Sequence, residues 1–183
     1  MTHHLTFIPI VERNSSGYLT KESIDGAEYG RFLVTMHKAW LNDPHEWELR
    51  ISNFDTALQS QATPGQSGLC VFDKTCGRNL AIEHNGDVFS CDHFVGADFK
   101  LGNINEGYLG DIANSPKQEK FGNAKLKNLP ECCLKCEVLD FCNGGCPKDR
   151  FDIAPNGEYG LNHLCAGYKM WFAYINEYLK EKA

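Results

Sequence analysis

Residues 133–146 read CLKCEVLDFCNGGC, four cysteines spaced C-x2-C-x5-C-x3-C. Outward from this run, Cys70, Cys76 and Cys91 precede it and Cys165 follows it, so eight of the nine cysteines form one spaced array. Four thiolates complete a tetrahedral metal site or a cubane cluster, and eight therefore read as two metal centres. Asn143-Gly144-Gly145 supplies the backbone freedom needed to wrap such a centre. Cys132 is left over: it reads as a free neighbour of a ligand, and replaces Cys133 only if the register shifts by one residue. Spacing does not choose the metal. Zinc and iron–sulfur clusters are both satisfied by these thiolates.

The remaining composition narrows the class. A chain of 183 residues, 42% of them hydrophobic, can bury one sizeable core, or one core and a metal-stapled satellite. A net charge of −6 argues against a nucleic-acid or anionic-membrane binder. MTHHLTFIPIVERN (1–14) lacks the long apolar run and small-residue cleavage site of a secretory signal, and no later stretch approaches a membrane span. A reducing cytoplasm is the expectation, and there dense cysteines signify metal or catalysis more than disulfides.

Before the array the pattern is α/β. Residues 5–11 (LTFIPIV) predict a buried strand, and Asp25 with Glu28 three residues on resembles a capping box. Phe32, Leu33, Met36, Ala39 and Trp40 then follow at helical spacing, as a helix packing on a sheet. Trp47, Leu49 and Ile51 alternate as a short strand, and Phe54 to Gln59 suggest a helical turn. A linker over 61–69 separates residues 1–60 from 70–183. Beyond it, Leu80–His84 and Asp87–Cys91 flank Asn85-Gly86 as a β-hairpin. Ser115-Pro116 opens a helix through about Lys127, the four-cysteine run is loop-like, and Leu164, Tyr168, Trp171, Phe172, Ile175 and Leu179 mark an amphipathic C-terminal helix.

CVFDKTC (70–76), GRNLAIEHNGDVFSCDHFV (77–95), LGNI (101–104) and CLKCEVLDFCNGGCPKDRF (133–151) resemble the SPASM domain of radical-SAM enzymes, and within these the anaerobic sulfatase-maturating enzymes. The resemblance covers about residues 70–170; FIPIVER is similar on weaker grounds to the end of that family's partial barrel. It implies an α+β fold: a small α/β remnant of a partial barrel, then a cysteine-rich SPASM domain with a β-hairpin, iron–sulfur loops and a C-terminal helix. It further implies two [4Fe–4S] clusters with interleaved ligands, Cys70, Cys76, Cys91 and Cys146 on the first, and Cys133, Cys136, Cys142 and Cys165 on the second. Both would be fully thiolate-ligated, hence electron carriers or structural staples; in aerobic preparations zinc, disulfides or empty thiols could stand at the same positions. Eight thiolates on two such clusters would add about −4 of charge, which Lys74, Arg78, Lys135, Lys148 and Arg150 could partly offset.

Asp92, directly after Cys91, matches an aspartate that in the maturases looks like the base for the substrate cysteine or serine. A carboxylate taking a proton from a free thiol is uphill by about 4–5 pKa units, so the role requires burial beside the clusters or a substrate already a radical. The bland reading is a turn aspartate capping local N–H groups. His84 and His93 are read as surface or neighbouring residues rather than ligands. The C-x3-C-x2-C motif that holds the S-adenosylmethionine cluster is absent: Cys132/Cys136 and Cys142/Cys146 have the first spacing, but Leu139 and Asp149 occupy the third position. The resemblance therefore implies the auxiliary part of a maturase oxidising cysteine or serine to Cα-formylglycine, incomplete alone, with S-adenosylmethionine used only by the full-length parent. Its implied partners are an unfolded sulfatase polypeptide and an external electron carrier, with no nucleic acid and no membrane. The alternatives are a non-catalytic zinc- or iron–sulfur-binding interaction module, and the SPASM domain of another peptide-modifying radical enzyme.

Overall fold

The computed structural model describes residues 3–45, 48–63 and 67–182. The first half is built from β1 (His4–Leu5), α1 (Gly26–Leu41), β2 (Arg50–Ile51) and α2 (Ser52–Ala62). β1 and β2 pair in parallel, with His4 opposite Arg50 and Leu5 opposite Ile51. The strand predicted over 5–11 ends at Leu5, for two reasons. Pro9 has no N–H to offer a ladder, and Asn53 of α2 captures the backbone of Phe7: its Oδ1 accepts from the Phe7 N–H at 2.7 Å and its Nδ2 donates to the Phe7 carbonyl at 3.1 Å. Nor is the segment buried along its length: Ile8 is 80% exposed, and Val11 alone of these residues is buried. Of the predicted 47–51 strand only Arg50–Ile51 pairs; Trp47 lies outside the described residues. The helical turn at 54–59 is the middle of α2.

Asp25 caps α1, its carboxylate accepting from Ala27 N at 2.9 Å and Glu28 N at 3.1 Å. The buried face is rotated from the predicted stripe: Gly26, Tyr29, Gly30, Leu33 and His37 are inside, while Phe32 and Ala39 are exposed. The reason is the partner. α1 packs not on a sheet but on α7 (Cys165–Lys182), and the two meet through glycines. A Cβ on Gly30 would stand 2.5 Å from the Gly167 Cα, and one on Gly167 would stand 2.1 Å from the Gly26 carbonyl oxygen. Only glycine lets the backbones approach so closely.

The core joins both sides of residues 61–69. Val11, Tyr29, Leu33, Ile51 and Phe54 cluster with Phe72, Val138, Leu164, Tyr168, Trp171, Phe172 and Ile175. Phe72 sits edge-on to Tyr168 and Phe172 with centroids 5.1 and 5.2 Å away. The first cysteine loop is thus fastened to the helical core two residues after Cys70.

In the second half, β3 (Ala81–Ile82), β4 (Asp87–Phe89) and β5 (Lys100–Asn103) form an antiparallel meander. The predicted hairpin is present but shorter than 80–84 with 87–91, and Asn85-Gly86 is not the centre of a two-residue turn. Gly86 N donates to Glu83 O and Glu83 N to Asp87 O, closing a three-residue loop. α3 (Leu109–Ala113) leads to α4 (Pro116–Lys127), which starts where Ser115-Pro116 predicts, with Ser115 accepting from Gln118 N. The cysteine run is not a plain loop: it carries two single turns, α5 (Glu131–Leu134) and α6 (Leu139–Cys142). β6 (Arg150–Ile153) and β7 (Tyr159–Asn162) make a second hairpin that the sequence reading missed. No described helix is long and apolar enough to cross a membrane.

Candidate metal centres

All nine cysteines are free thiols, and the fold sorts the array between two cavities. One, of about 270 Å³, is lined by Cys70, Cys76, Cys91 and Cys146, with Asp92 and His93 on its wall. The other, of about 300 Å³, is lined by Cys132, Cys133, Cys136, Cys142 and Cys165. Each far exceeds the roughly 30 Å³ of one water in the liquid. Among the described residues no three His, Cys, Asp or Glu side chains converge on a point as for a single ion; the sulfurs instead stand around the cavity walls. Electrostatic neighbours follow the same division. Cys91 feels Cys146 and Cys146 feels Cys70, whereas Cys142 and Cys165 feel Cys136.

Local structure explains the sorting. Cys142 ends α6, and the next three residues are all left-handed, with φ of 44° at Asn143, 73° at Gly144 and 64° at Gly145. The chain therefore reverses sharply, leaving Cys142 on one cavity and Cys146 on the other. A Cβ on Gly145 would stand 2.6 Å from Asn162 Nδ2, so this position has neither the space nor the dihedral for a side chain. Arg150 locks the reversal from beneath by donating to the carbonyls of Asn143, Gly144 and Gly145. Asn143 Nδ2 donates to the Phe72 carbonyl at 2.8 Å, tying the turn to the Cys70 loop. Asn162 Nδ2 donates to the Cys146 carbonyl at 3.1 Å, and its Oδ1 accepts from Leu164 N at the start of α7.

The hairpin side of the first cavity is held by α4. Gln118 Nε2 donates to the carbonyls of Gly77 at 2.7 Å and Ser90 at 3.0 Å, bridging the residues beside Cys76 and Cys91. Lys125, 1% exposed, donates from Nζ to the carbonyls of Cys70, Val71 and Asp73. Tyr168 borders both cavities.

Burial dominates the thiol acidities. It pushes Cys133 and Cys91 up to about 12, and Cys142 and Cys146 up to about 11. Cys91 also donates to Asp92 Oδ1 at 3.0 Å. That bond is the main cause holding Asp92 below the usual carboxylate range. Asp92 is exposed, so the raised pKa that a base role calls for does not arise from the protein alone. Burial brings Lys125 down to about 8.

Cys132 shares the second cavity with Cys133 rather than pointing away from it. His84 is on the surface and His93 on the first cavity's wall. Of the cations expected to offset cluster charge, Lys74 and Arg78 are exposed and Lys135 pairs with Glu131; Arg150 is buried at the centre. The sequence reading missed Lys125 and Gln118. The only signal for either is an α4 that is mostly polar, with Phe121, Ala124 and Leu126 as its apolar residues, which does not single out a buried lysine or glutamine.

Known proteins share this chain's sequence pattern and fold. The SPASM family, described as an iron-sulfur cluster-binding domain, matches residues 70–137. The chain is 37% identical to a serine-type anaerobic sulfatase-maturating enzyme of Bacteroides thetaiotaomicron over 97% of its own length and 46% of the relative's. It is 29% identical to a cysteine-type anaerobic sulfatase-maturating enzyme of Clostridium perfringens, over 83% of this chain and 40% of the relative. It also resembles the solved structure of anSMEcpe with bound AdoMet and Kp18Cys peptide, with a TM-score of 0.75 at 27% identity, over 96% of this chain and 47% of that one. The chain thus spans under half the length of the curated relatives it matches. Residues 70–137 thus match a family of iron–sulfur cluster-binding domains, in a chain similar to part of the anaerobic sulfatase-maturating enzymes.

Proposed function

We propose that this chain is the auxiliary iron–sulfur and substrate-facing portion of an anaerobic sulfatase maturase, which oxidises a sulfatase cysteine or serine to Cα-formylglycine. Cys70, Cys76, Cys91 and Cys146 hold a first [4Fe–4S] cluster, and Cys133, Cys136, Cys142 and Cys165 a second. The observation that carries this reading is the sorting of the array: Cys146 lies on the cavity of the distant Cys70, Cys76 and Cys91, and Cys165 lies with the 133–142 cysteines. The clusters, when bound, supply electron-carrying capacity. Residues 1–60 are a remnant of a partial barrel, supported by the parallel β1–α1–β2 unit, the kind of repeat from which such barrels grow. Residues 61–69 link this part to the SPASM-type domain from 70 to 183.

Asp92 acts as the base for the substrate thiol or hydroxyl. Metal loading removes the Cys91 proton, and with it the hydrogen bond that holds Asp92 down. Thiolate-rich surroundings then favour its protonated form. The peptide lies along the first cavity, whose lining includes Thr6, Phe7, Ile8 and Pro9 together with Asp92 and Phe94; solved relatives hold AdoMet and a peptide named Cp18Cys or Kp18Cys. The parent enzyme brings S-adenosylmethionine and an external electron carrier. The test is a chimera in which this chain replaces the matching half of the Bacteroides thetaiotaomicron maturase. Anaerobic incubation with a sulfatase peptide is expected to yield formylglycine by mass spectrometry. A fully iron-loaded chimera that leaves the peptide unmodified contradicts the reading.

A further inference from the structure

Lys125 and Arg150 are the buried lysine and arginine side chains among the described residues, at 1% and 9% exposure. Among those residues neither has a carboxylate within ion-pair distance. Lys125 spends its donors on the carbonyls of Cys70, Val71 and Asp73. Arg150 spends its own on the carbonyls of Lys125, Asn143, Gly144 and Gly145. A cation removed from water without a counter-charge is costly, so each needs an anion that the amino-acid carboxylates do not provide.

Besides each other's charge, which Arg150 presses on Lys125 and which makes the want of an anion more acute, the groups within electrostatic reach are cysteine sulfurs, and the two cations see different sets. Lys125 is influenced by Cys76, Cys70 and Cys146, all on the first cavity. Arg150 is influenced by Cys133 and Cys142 of the second cavity, and by Cys146 and Cys76 of the first. Resting on the two-centre reading above, we propose that Lys125 and Arg150 are the counter-cations of the iron–sulfur centres, Lys125 serving the first alone and Arg150 serving both. Each makes its centre easier to reduce. A centre that accepts one electron from a reductant becomes more negative by one unit, and a fixed neighbouring cation stabilises that state more than the oxidised one. The effect is strong because both cations sit in the low-dielectric interior rather than in solvent.

The experiment is an EPR-monitored redox titration, with dithionite as reductant, of the anaerobically reconstituted chain. Cys91→Ala and Cys165→Ala proteins assign the two signals. Because Arg150 also holds the 143–145 turn, Lys125 is the residue to change. Lys125→Met is expected to move the first centre to a more negative potential and leave the second in place, while Lys125→Arg restores the first to near its original value. Unmoved potentials in a fully iron-loaded Lys125→Met protein overturn the proposal, as does an equal shift of both centres. If Lys125→Met and the hydrogen-bonding Lys125→Gln both fail to assemble the first centre, Lys125 is a staple for the Cys70 loop and the charge role is likewise overturned. Failure of the underlying reading is distinguishable: the unaltered chain then shows no pair of EPR-active centres to titrate.

Discussion

The Cys91 Sγ–H donates to Asp92 Oδ1 across 3.0 Å, so a proposed metal ligand and the proposed base share one proton-bearing contact. The contact acts in opposite directions on its partners, helping burial raise the thiol to about 12 and holding the carboxyl down. It exists only while Cys91 keeps its proton. Loading a metal centre therefore changes Asp92 as well as Cys91.

Asp92→Asn in the chimera is expected to slow formylglycine formation by about 10²- to 10⁴-fold, the usual range for loss of a general base. Iron content should be unchanged, because Asp92 is not among the proposed ligands and asparagine keeps its size and shape. Turnover matching the unaltered chimera would remove Asp92 from the chemistry.

Gly145→Ala is expected to deplete both centres. The added Cβ meets Asn162 Nδ2 at 2.6 Å and Tyr168 Cε2 at 2.9 Å, at a φ of +64°. The strain is about 1–3 kcal/mol, and it falls on the reversal that sends Cys142 and Cys146 to opposite cavities. Iron per chain after anaerobic reconstitution checks this; full loading of both centres would show that the turn tolerates a side chain.

Gly30→Ala separates packing from helix propensity. Alanine favours the helix by about 1 kcal/mol, yet its Cβ would stand 2.5 Å from the Gly167 Cα. Overpacking of this kind costs about 1–3 kcal/mol, and more where backbone must move. A lower urea midpoint is expected, with Gly167→Ala at least as severe given its 2.1 Å approach to the Gly26 carbonyl. A raised midpoint would mean that α1 and α7 do not meet this closely.

His37 makes stability fall in mild acid. It is fully buried, stacked on Phe54 at 4.3 Å, with Nδ1 accepting from Trp171 Nε1 at 3.3 Å. Burial lowers its pKa from 6.5 to about 4. The unfolded chain then binds this proton first, so the contribution is intact above about pH 6.5 and is lost progressively towards pH 4. The full loss is on the order of 3 kcal/mol. Urea midpoints between pH 7 and pH 4.5 should drop more for the unaltered protein than for His37→Phe; parallel curves would contradict the assignment.

Much of this was legible where the signal is local. Asp25 and Ser115-Pro116 mark their helix starts because capping uses residues within three positions. The rotated face of α1 was not, because hydrophobic counting overlooks Gly26 and Gly30, which are buried by a partner helix some 140 residues away. The β6–β7 hairpin carried Asn156-Gly157 as a turn signal, but its paired strands lie inside a region dominated by cysteines. The division of cysteines came from resemblance alone, since spacing does not state that Cys146 turns away from Cys142. Lys125 was invisible for a different reason: the carbonyls that hold it belong to a loop more than 50 residues earlier.

The central claim is that these cavities hold two iron–sulfur clusters. Anaerobic reconstitution with metal and acid-labile sulfide analysis tests it most directly. About eight irons per chain are expected, with broad absorbance near 400 nm, falling to about four in Cys146→Ala and in Cys165→Ala. Stoichiometric zinc without iron after strictly anaerobic handling, or loss of all iron from either single variant, would contradict it.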